Sequence, residues 1–381
     1  MRVAIATNCI PPYRFPIFRD LSTNPSLSLC IFVSMPLEAS CELARAHLHL
    51  ERPLTLNVNI GTRHAEVGTH QREVVPLPIG LIWSLIRFRP KAIISGDFGS
   101  RTLLCWLIAR IIGARLLIWT EEILSSARGR SKLQRALRRF LLPRTDGFFA
   151  WGDPARDYLI SQGVGLDRIS AVPQSIDVED WNRLRSPQSR GDLRAQLGLS
   201  GITFLFVGRL VERKGIDRFI KAWAALPGSL TAKATALIVG AGELEADLRA
   251  LSLRLGARNI VFKGGLSSSE LAKYYTACDV LVFPSLEDVW GMVVNEALLF
   301  GLPVLGSVHA GAVQQLVHGK ETGLVFDPND VPEFTRILSQ WIERTPGVSR
   351  ERCRAIGESQ RPGAGASTIA SRLLQQSPIQ Q

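Results

Sequence analysis

The chain has 381 residues, 46% of them hydrophobic, with a formal net charge of +11 and a sequence pI of about 9.8. That length predicts two domains, and a mean hydropathy of +0.12 excludes a disordered chain. The six cysteines (Cys9, Cys30, Cys41, Cys105, Cys278, Cys353) form no CxxC pair, which argues against a zinc site or disulfide scaffold and fits a reducing compartment, while the basic balance favours an anionic partner: nucleic acid, a phosphorylated small molecule or an acidic membrane face.

The opening "MRVAIATNCIPPYR" lacks the layout of a signal peptide and reads as a first β-strand. In the first half, strands are expected at 2–6, 27–33, 92–95, 115–119, 147–150 and 168–174. Helices are expected near "FPIFRDLS", 100–112, 131–142 and 153–162, and residues 40–75 are polar and ambiguous. Arg110, Gly113 and Arg115 interrupt the most lipid-like run, 103–119, so no transmembrane helix is expected.

A polar stretch, 177–201, reads as a linker with a short helix. A second series of strands follows at 202–208, 234–240, 259–264, 279–284, 303–307 and 323–326, with helices between them. Gly256 is placed as a helix C-cap glycine, and Ser267 and Glu270 have capping-box spacing. Short apolar strands alternating with helices mean βαβ units and parallel sheets. The expected fold class is therefore α/β: two Rossmann-like doubly wound domains facing across a cleft, at 1–185 and 186–350. A C-terminal helix and polar tail occupy 351–381. Ligands of such sheets bind beyond the carboxyl ends of the strands.

Three stretches place chemistry at such ends. In "FVGRLVERKG", Gly208 allows close backbone approach, and Arg209 and Lys214 put two cations where an anionic ligand would sit. A solvated basic turn reads equally well from charge alone. "LIVGAGELEADL" supplies Gly240 and Gly242 but Glu245 where a dinucleotide fingerprint needs glycine, so a tight turn is the better reading. In "EDVWGMVVNEALLFGLPVLGS", Gly291 frees the backbone before a helix near 292–300, whose unpaired N–H groups can meet an anion. Glu296, one turn further in, suits a vicinal diol better than a phosphate, and the combination fits a nucleotide sugar. Glu287 reads as a solvent-side loop acid; for Asp288 and Glu296, spacing alone leaves the matter open.

The second half resembles the retaining glycosyltransferases of family 4, with the GT-B fold. "FVGRLVERKGIDRFIKAW", "VGAGELEADLR", "VFKGG", "YYTACDVLVFPSLEDVWGMVVNEALLFGLPVLGS" and "GKETGLVFDPND" follow that pattern in order and spacing over about 130 residues. The resemblance implies an acceptor-side first domain and a donor-binding second one. It implies that Arg209 and Lys214 hold the donor diphosphate, that Glu296 binds the ribose hydroxyls, and that Asp288 contacts the donor sugar. Backbone amides of Gly291, Met292 and Val293 would face the diphosphate or sugar, with Gly208 and Gly240 lining the same site and Lys263 and Gly264 near the base. The family usually has Glu where Asp288 stands. It also implies a nucleotide-diphosphate sugar as donor substrate, with no cofactor and no metal. Two features depart from the pattern. No histidine follows "AIISGDFGS", where Asp97 is the nearest polar group, and "TNCIPPYR" replaces a glycine-rich loop, leaving Tyr13 and Arg14 either facing the cleft or forming a structural turn.

The segment "ARGRSKLQRALRRFLLPR" carries seven cations and no acid, with Leu133, Leu137, Phe140 and Leu141 on one helical face. This basic 128–144 helix is expected to dock on an anionic membrane surface; the other reading is a surface helix packed into its own domain. The expected function is hexosyl transfer with retention to a lipid-linked or polysaccharide acceptor, at the cytoplasmic, inner face of the cell membrane. The alternatives are a nucleotide-sugar epimerase or a nucleotide-sugar-binding protein without turnover. Nucleic acid is not expected as a partner, because no aromatic and basic platform is visible.

Overall fold

The computed structural model describes residues 1–34, 48–64, 70–124, 126, 131–344 and 347–375. The chain divides into two compact units. Unit 1 comprises Met1–Glu122, Ala127–Ser175 and Pro362–Gln381; unit 2 comprises Ile123–Ser126 and Ile176–Arg361.

Unit 1 contains β1 (Arg2–Thr7), β2 (Ser28–Val33), β3 (Leu50–Glu51), β4 (Leu56–His64), β5 (His70–Leu77), β6 (Ala92–Gly96), β7 (Arg115–Thr120), β8 (Gly147–Trp151) and β9 (Ile169–Val172). Seven of these form a parallel sheet in the order β3-β2-β1-β6-β7-β8-β9, while β4 and β5 pair as an antiparallel hairpin. Its helices are α1 (Phe15–Ser22), α2 (Gly80–Phe88), α3 (Ser100–Ile112), α4 (Lys132–Leu141) and α5 (Asp153–Ser161). The central strands are apolar almost throughout because helices cover both sheet faces. One face, with Val3, Ile5, Ile94, Leu117 and Phe149, packs on α1. The other, with Ala4, Ile93 and Leu116, packs on α2 and α3.

Unit 2 opens with α6 (Val178–Arg183) and α7 (Arg190–Gln196). Its strands are β10 (Ile202–Val207), β11 (Ala234–Val239), β12 (Ile260–Gly264), β13 (Val280–Phe283), β14 (Val304–Ser307) and β15 (Gly323–Phe326), all parallel in the order β12-β11-β10-β13-β14-β15. Between and after them run α8 (Ile216–Ala224), α9 (Gly228–Thr231), α10 (Glu245–Arg254), α11 (Ser268–Ala277), α12 (Met292–Leu299), α13 (Gly311–Leu316), α14 (Val331–Arg344) and α15 (Arg350–Ser359). The last helix, α16 (Pro362–Leu374), returns to unit 1, where Ile369 and Leu373 join the core beside α1.

The doubly wound α/β expectation holds for each unit. The Ser267–Glu270 capping box forms, and Gly256 takes the left-handed conformation just past α10. Three features differ from expectation. The first boundary falls at 175/176 instead of 185/186, because Ile176 and Val178 belong to the core of unit 2. The segment 351–381 is not a single appendage: α15 stays with unit 2 and α16 with unit 1. Helix α2 and the β4–β5 hairpin were not read from the sequence.

Candidate active site

The register of unit 2 brings the carboxyl ends of three neighbouring strands into one row. Gly208 donates its N–H to Val239 O at 3.0 Å, and Gly240 donates to Gly264 O at 2.7 Å. Gly208, Gly240 and Gly264, from three separate motifs, thus stand beside one another after β10, β11 and β12. Arg209 and Lys263 are exposed at this edge.

Lys214 is positioned by contact between two loops. The N–H of Leu286 donates to Arg213 O at 2.8 Å, tying the turn after β10 to the loop after β13. Gly215 has φ 63°, and a Cβ there would lie 2.1 Å from Pro284 O, so only glycine lets the turn pass this close. Lys214 Nζ consequently reaches Asp288 Oδ2 as an ion pair and lies 5.1 Å from the centre of the Phe283 ring. Both partners are nearly shielded from solvent, with side chains 12% and 10% exposed. Asp288 also accepts the Trp290 N–H on Oδ1 at 3.3 Å, so both of its oxygens are engaged. Its backbone bridges to the loop after β14 through His309 and Gly311. Glu287, one residue earlier, is exposed, as expected.

Beyond Asp288 the chain enters α12. Gly291 precedes it with φ 103°, and a Cβ there would lie 2.6 Å from the Phe283 ring. No side chain caps the helix, so the N–H groups of its first turn, at Met292 and Val293, supply the positive end of its dipole. Trp290 is fixed by its indole N–H donating to Asn295 Oδ1 at 2.8 Å. Glu296 follows one turn in, and its Oε2 accepts a 2.7 Å hydrogen bond from the hydroxyl of the fully buried Tyr275 on α11. Burial pushes the Glu296 carboxyl up to about 7, and the Tyr275 hydroxyl opposes that rise. The Tyr275 hydroxyl is itself pushed well above its usual value, first by burial and then by the neighbouring carboxylate. Tyr275 was missed in the sequence, although "YYTACD" places an aromatic on the helix just before β13.

Asp97 lies in unit 1, exposed just after β6 in the left-handed region at φ 58°. A cation missed by sequence reasoning stands next to it. Arg101, in the first turn of α3, hydrogen-bonds to Asn8 and to Gly96 O, joining the carboxyl ends of β1 and β6. Burial pushes its guanidinium down. Arg14 is buried, paired with Glu121, and its guanidinium sits 3.1 Å from the centre of the Trp151 ring. Of its two readings, the structural turn is the one observed. Among the described residues, one group of three side chains has metal-ligating spacing: Cys30, His49 and Glu51 of unit 1. Arg87 pairs with that Glu51, and burial pushes the Cys30 thiol up to about 12. Neither suits a cation.

Two Rossmann-like units, the second with cations and an uncapped helix N-terminus at its strand ends, make this a doubly wound α/β protein. Residues 190–361 match the family model described as glycosyl transferases group 1. Over 230 residues the chain is 29% identical to a D-inositol 3-phosphate glycosyltransferase of Streptomyces griseus, covering 58% of this chain and 48% of that one. An uncharacterized glycosyltransferase of Methanocaldococcus jannaschii is 29% identical over 182 residues, 46% of each chain. The chain spans about half the length of these curated relatives. Among solved structures, Anabaena HepE in complex with UDP aligns with a TM-score of 0.77 at 19% identity over 98% of this chain and 99% of that one. WaaG, a glycosyltransferase involved in lipopolysaccharide biosynthesis, aligns with a TM-score of 0.71 at 18% identity over 98% and 100%. The fold is that of the GT-B glycosyltransferases.

Proposed function

We propose that the chain is a retaining, metal-independent hexosyltransferase of family 4. It uses a nucleotide-diphosphate sugar as donor and a lipid-linked or polysaccharide acceptor at the inner face of the cell membrane. The observation that carries this reading is the placing of Lys214, Asp288, the uncapped start of α12 and Glu296 along one edge of unit 2, within the segment matching the glycosyl transferases group 1 model. The UDP complex of HepE makes UDP-sugars the first donors to test.

In this reading the bond between the sugar C1 and the diphosphate oxygen breaks, and its electron pair stays on the leaving phosphate. Arg209, Lys214 and the first-turn N–H groups of α12 offset that developing charge, which removes the need for a metal. The acceptor oxygen attacks C1 on the face the diphosphate leaves, and its proton passes to a leaving-phosphate oxygen. Glu296, ionised, accepts hydrogen bonds from both ribose hydroxyls, while Lys263 and Gly264 border the base. Asp288 orients Lys214 and meets the sugar hydroxyls. Its side chain is one methylene shorter than Glu, which brings the sugar closer to the backbone.

The test is nucleotide release from UDP-, GDP- and ADP-sugars, with and without membrane lipids and with a chelator present. Release from one donor, undiminished by the chelator, is expected. Binding of a donor without release under every condition would leave a nucleotide-sugar-binding protein instead.

A further inference from the structure

Helices α2, α3, α4 and α5 form one continuous layer on unit 1. The strand residues they cover, Ala4, Ile93, Leu116, Ile118 and Phe148, lie on a single face of the sheet by register. The outer side of such a layer is ordinarily polar. Here Trp83 on α2 is 71% exposed, Leu107 and Ile111 on α3 are 45% and 73% exposed, and Leu133 on α4 is 78% exposed. These exposures are those among the described residues.

Charge on the α2–α3–α4 part of this layer is mostly positive, while α5 adds Asp153 and Asp157, both paired with Arg156. Residues 79–144 hold 13 Lys and Arg against three acids. Two of those acids point inward, Glu121 to Arg14 and Glu122 to Arg138, and the third is Asp97 at the end of β6. Arg87, Arg89, Arg110, Lys132, Arg135 and Arg139 are all exposed. The basic helix does not act alone. In α4, Leu141 is buried, Arg138 is sunk into its pair with Glu122, and Leu137 and Phe140 pack on the core. Three residues of the stripe therefore pack into the domain, as the surface-helix reading expects, while Leu133 stays exposed, and Arg128 and Arg130 lie outside the described residues.

We propose that the outer face of the α2–α3–α4 layer is a membrane-contacting surface whose partner is an anionic lipid bilayer. Trp83, Leu107, Ile111 and Leu133 enter the interfacial region, and the surrounding cations meet acidic headgroups. An aromatic and aliphatic set framed by exposed cations, of which Arg87 is paired with Glu51, matches the chemistry of that boundary. The proposal rests on the membrane acceptor inferred above, and it moves the contact from one helix to a three-helix face. No helix among the described residues is long and apolar enough to cross a membrane.

The experiment is flotation of the full chain with phosphatidylcholine vesicles, with and without added phosphatidylglycerol, at low and high salt. UDP-sugar binding is measured in parallel without lipid. Salt-sensitive binding to the anionic vesicles is expected. Trp83→Ser with Ile111→Ser should lower partitioning about tenfold or more, and Arg110→Gln with Arg135→Gln should weaken the preference for anionic lipid about tenfold or more. Both variants should keep donor binding and melting temperature, since the replaced side chains are exposed. Wild-type protein that fails to float, or variants that float as wild type does, would overturn the proposal. So would a wild-type dimer that becomes a monomer in the serine variant with flotation unchanged, which assigns the face to a second copy. Flotation without any donor binding would leave this surface standing and remove the transferase reading.

Discussion

Glu296 ionises near neutrality because its carboxyl is buried and only one strong donor, Tyr275, faces it. An unfolded chain ionises this group near 4.5, the folded protein near 7. The raised value favours the folded state at acid pH. That contribution is complete below 4.5, is lost as pH rises towards 7 and stays lost above it. Donor binding should run the opposite way, because ribose hydroxyls donate to a carboxylate and not to a neutral acid. Affinity for a nucleotide sugar, whose diphosphate does not titrate in this window, is expected to rise between pH 6 and 8 by about tenfold. Glu296→Gln should flatten that profile, and Tyr275→Phe should displace its midpoint upward. Titration calorimetry across the range checks all three, and a flat wild-type profile would remove Glu296 from the ribose. The Lys214–Asp288 pair makes a separate prediction. Lys214→Met leaves a shielded carboxylate unpaired and should cost about 3 kcal/mol of stability, most of it recovered by adding Asp288→Asn. Nucleotide release should not recover, because the cation that meets the diphosphate is gone. Urea denaturation read beside turnover separates the two effects.

At the scale of elements, the site depends on two loops that touch, and one glycine sets their distance. Gly215→Ala forces a side chain into a left-handed residue and against Pro284 O. The loops must separate, so a loss of about 1–3 kcal/mol and a fall in donor affinity of about tenfold are expected. Ser267→Ala, which removes the cap of α11, should cost about 1 kcal/mol and leave donor affinity alone. Equal effects of the two changes on affinity would show that the Gly215 contact has no special role. The same contrast explains what the sequence could convey. Strands β10 to β15 announce themselves as apolar runs, and Lys214, Asp288 and Glu296 fall on their edges by motif spacing. The pairing of Lys214 with Asp288 joins positions 74 residues apart, and nothing in local pattern records it. Tyr275 and Arg101 escaped for the same reason: each acts through a partner on another element. Helix α2 was missed because "PIGLIWSLIRFRP" is so uniformly apolar that its exposed Trp83 hides the helical period.

The whole molecule is organised by where its last helix goes. After Arg361 the chain leaves unit 2, and α16 lays Ala366, Ile369, Ala370 and Leu373 into the core shared by α1 and Val172 of β9. Arg115 at the start of β7 fixes the helix end through Leu373 O and Gln375 O. Among the described residues the edge strand β9 has no neighbouring strand on its outer side, and α16 supplies apolar cover beside it. A chain ending at Arg361 should therefore lose stability in unit 1, by about 3–6 kcal/mol for Ile369 and Leu373 alone. Unit 2 keeps its own core and the residues proposed to hold the nucleotide, so nucleotide binding should survive the deletion. Ligand at about one hundred times its dissociation constant should add about 2.7 kcal/mol to unit 2 in both chains. Scanning calorimetry with and without UDP reads both effects: the transition that UDP raises should be common to the two proteins, and the one that UDP does not raise should fall in the shortened chain. Ile369→Ala provides the milder form, with a loss of about 2–5 kcal/mol confined to the same transition. Should the shortened chain instead lose nucleotide binding while the UDP-insensitive transition stays in place, α16 would be a support of unit 2, and the division of the chain at Arg361 would be wrong.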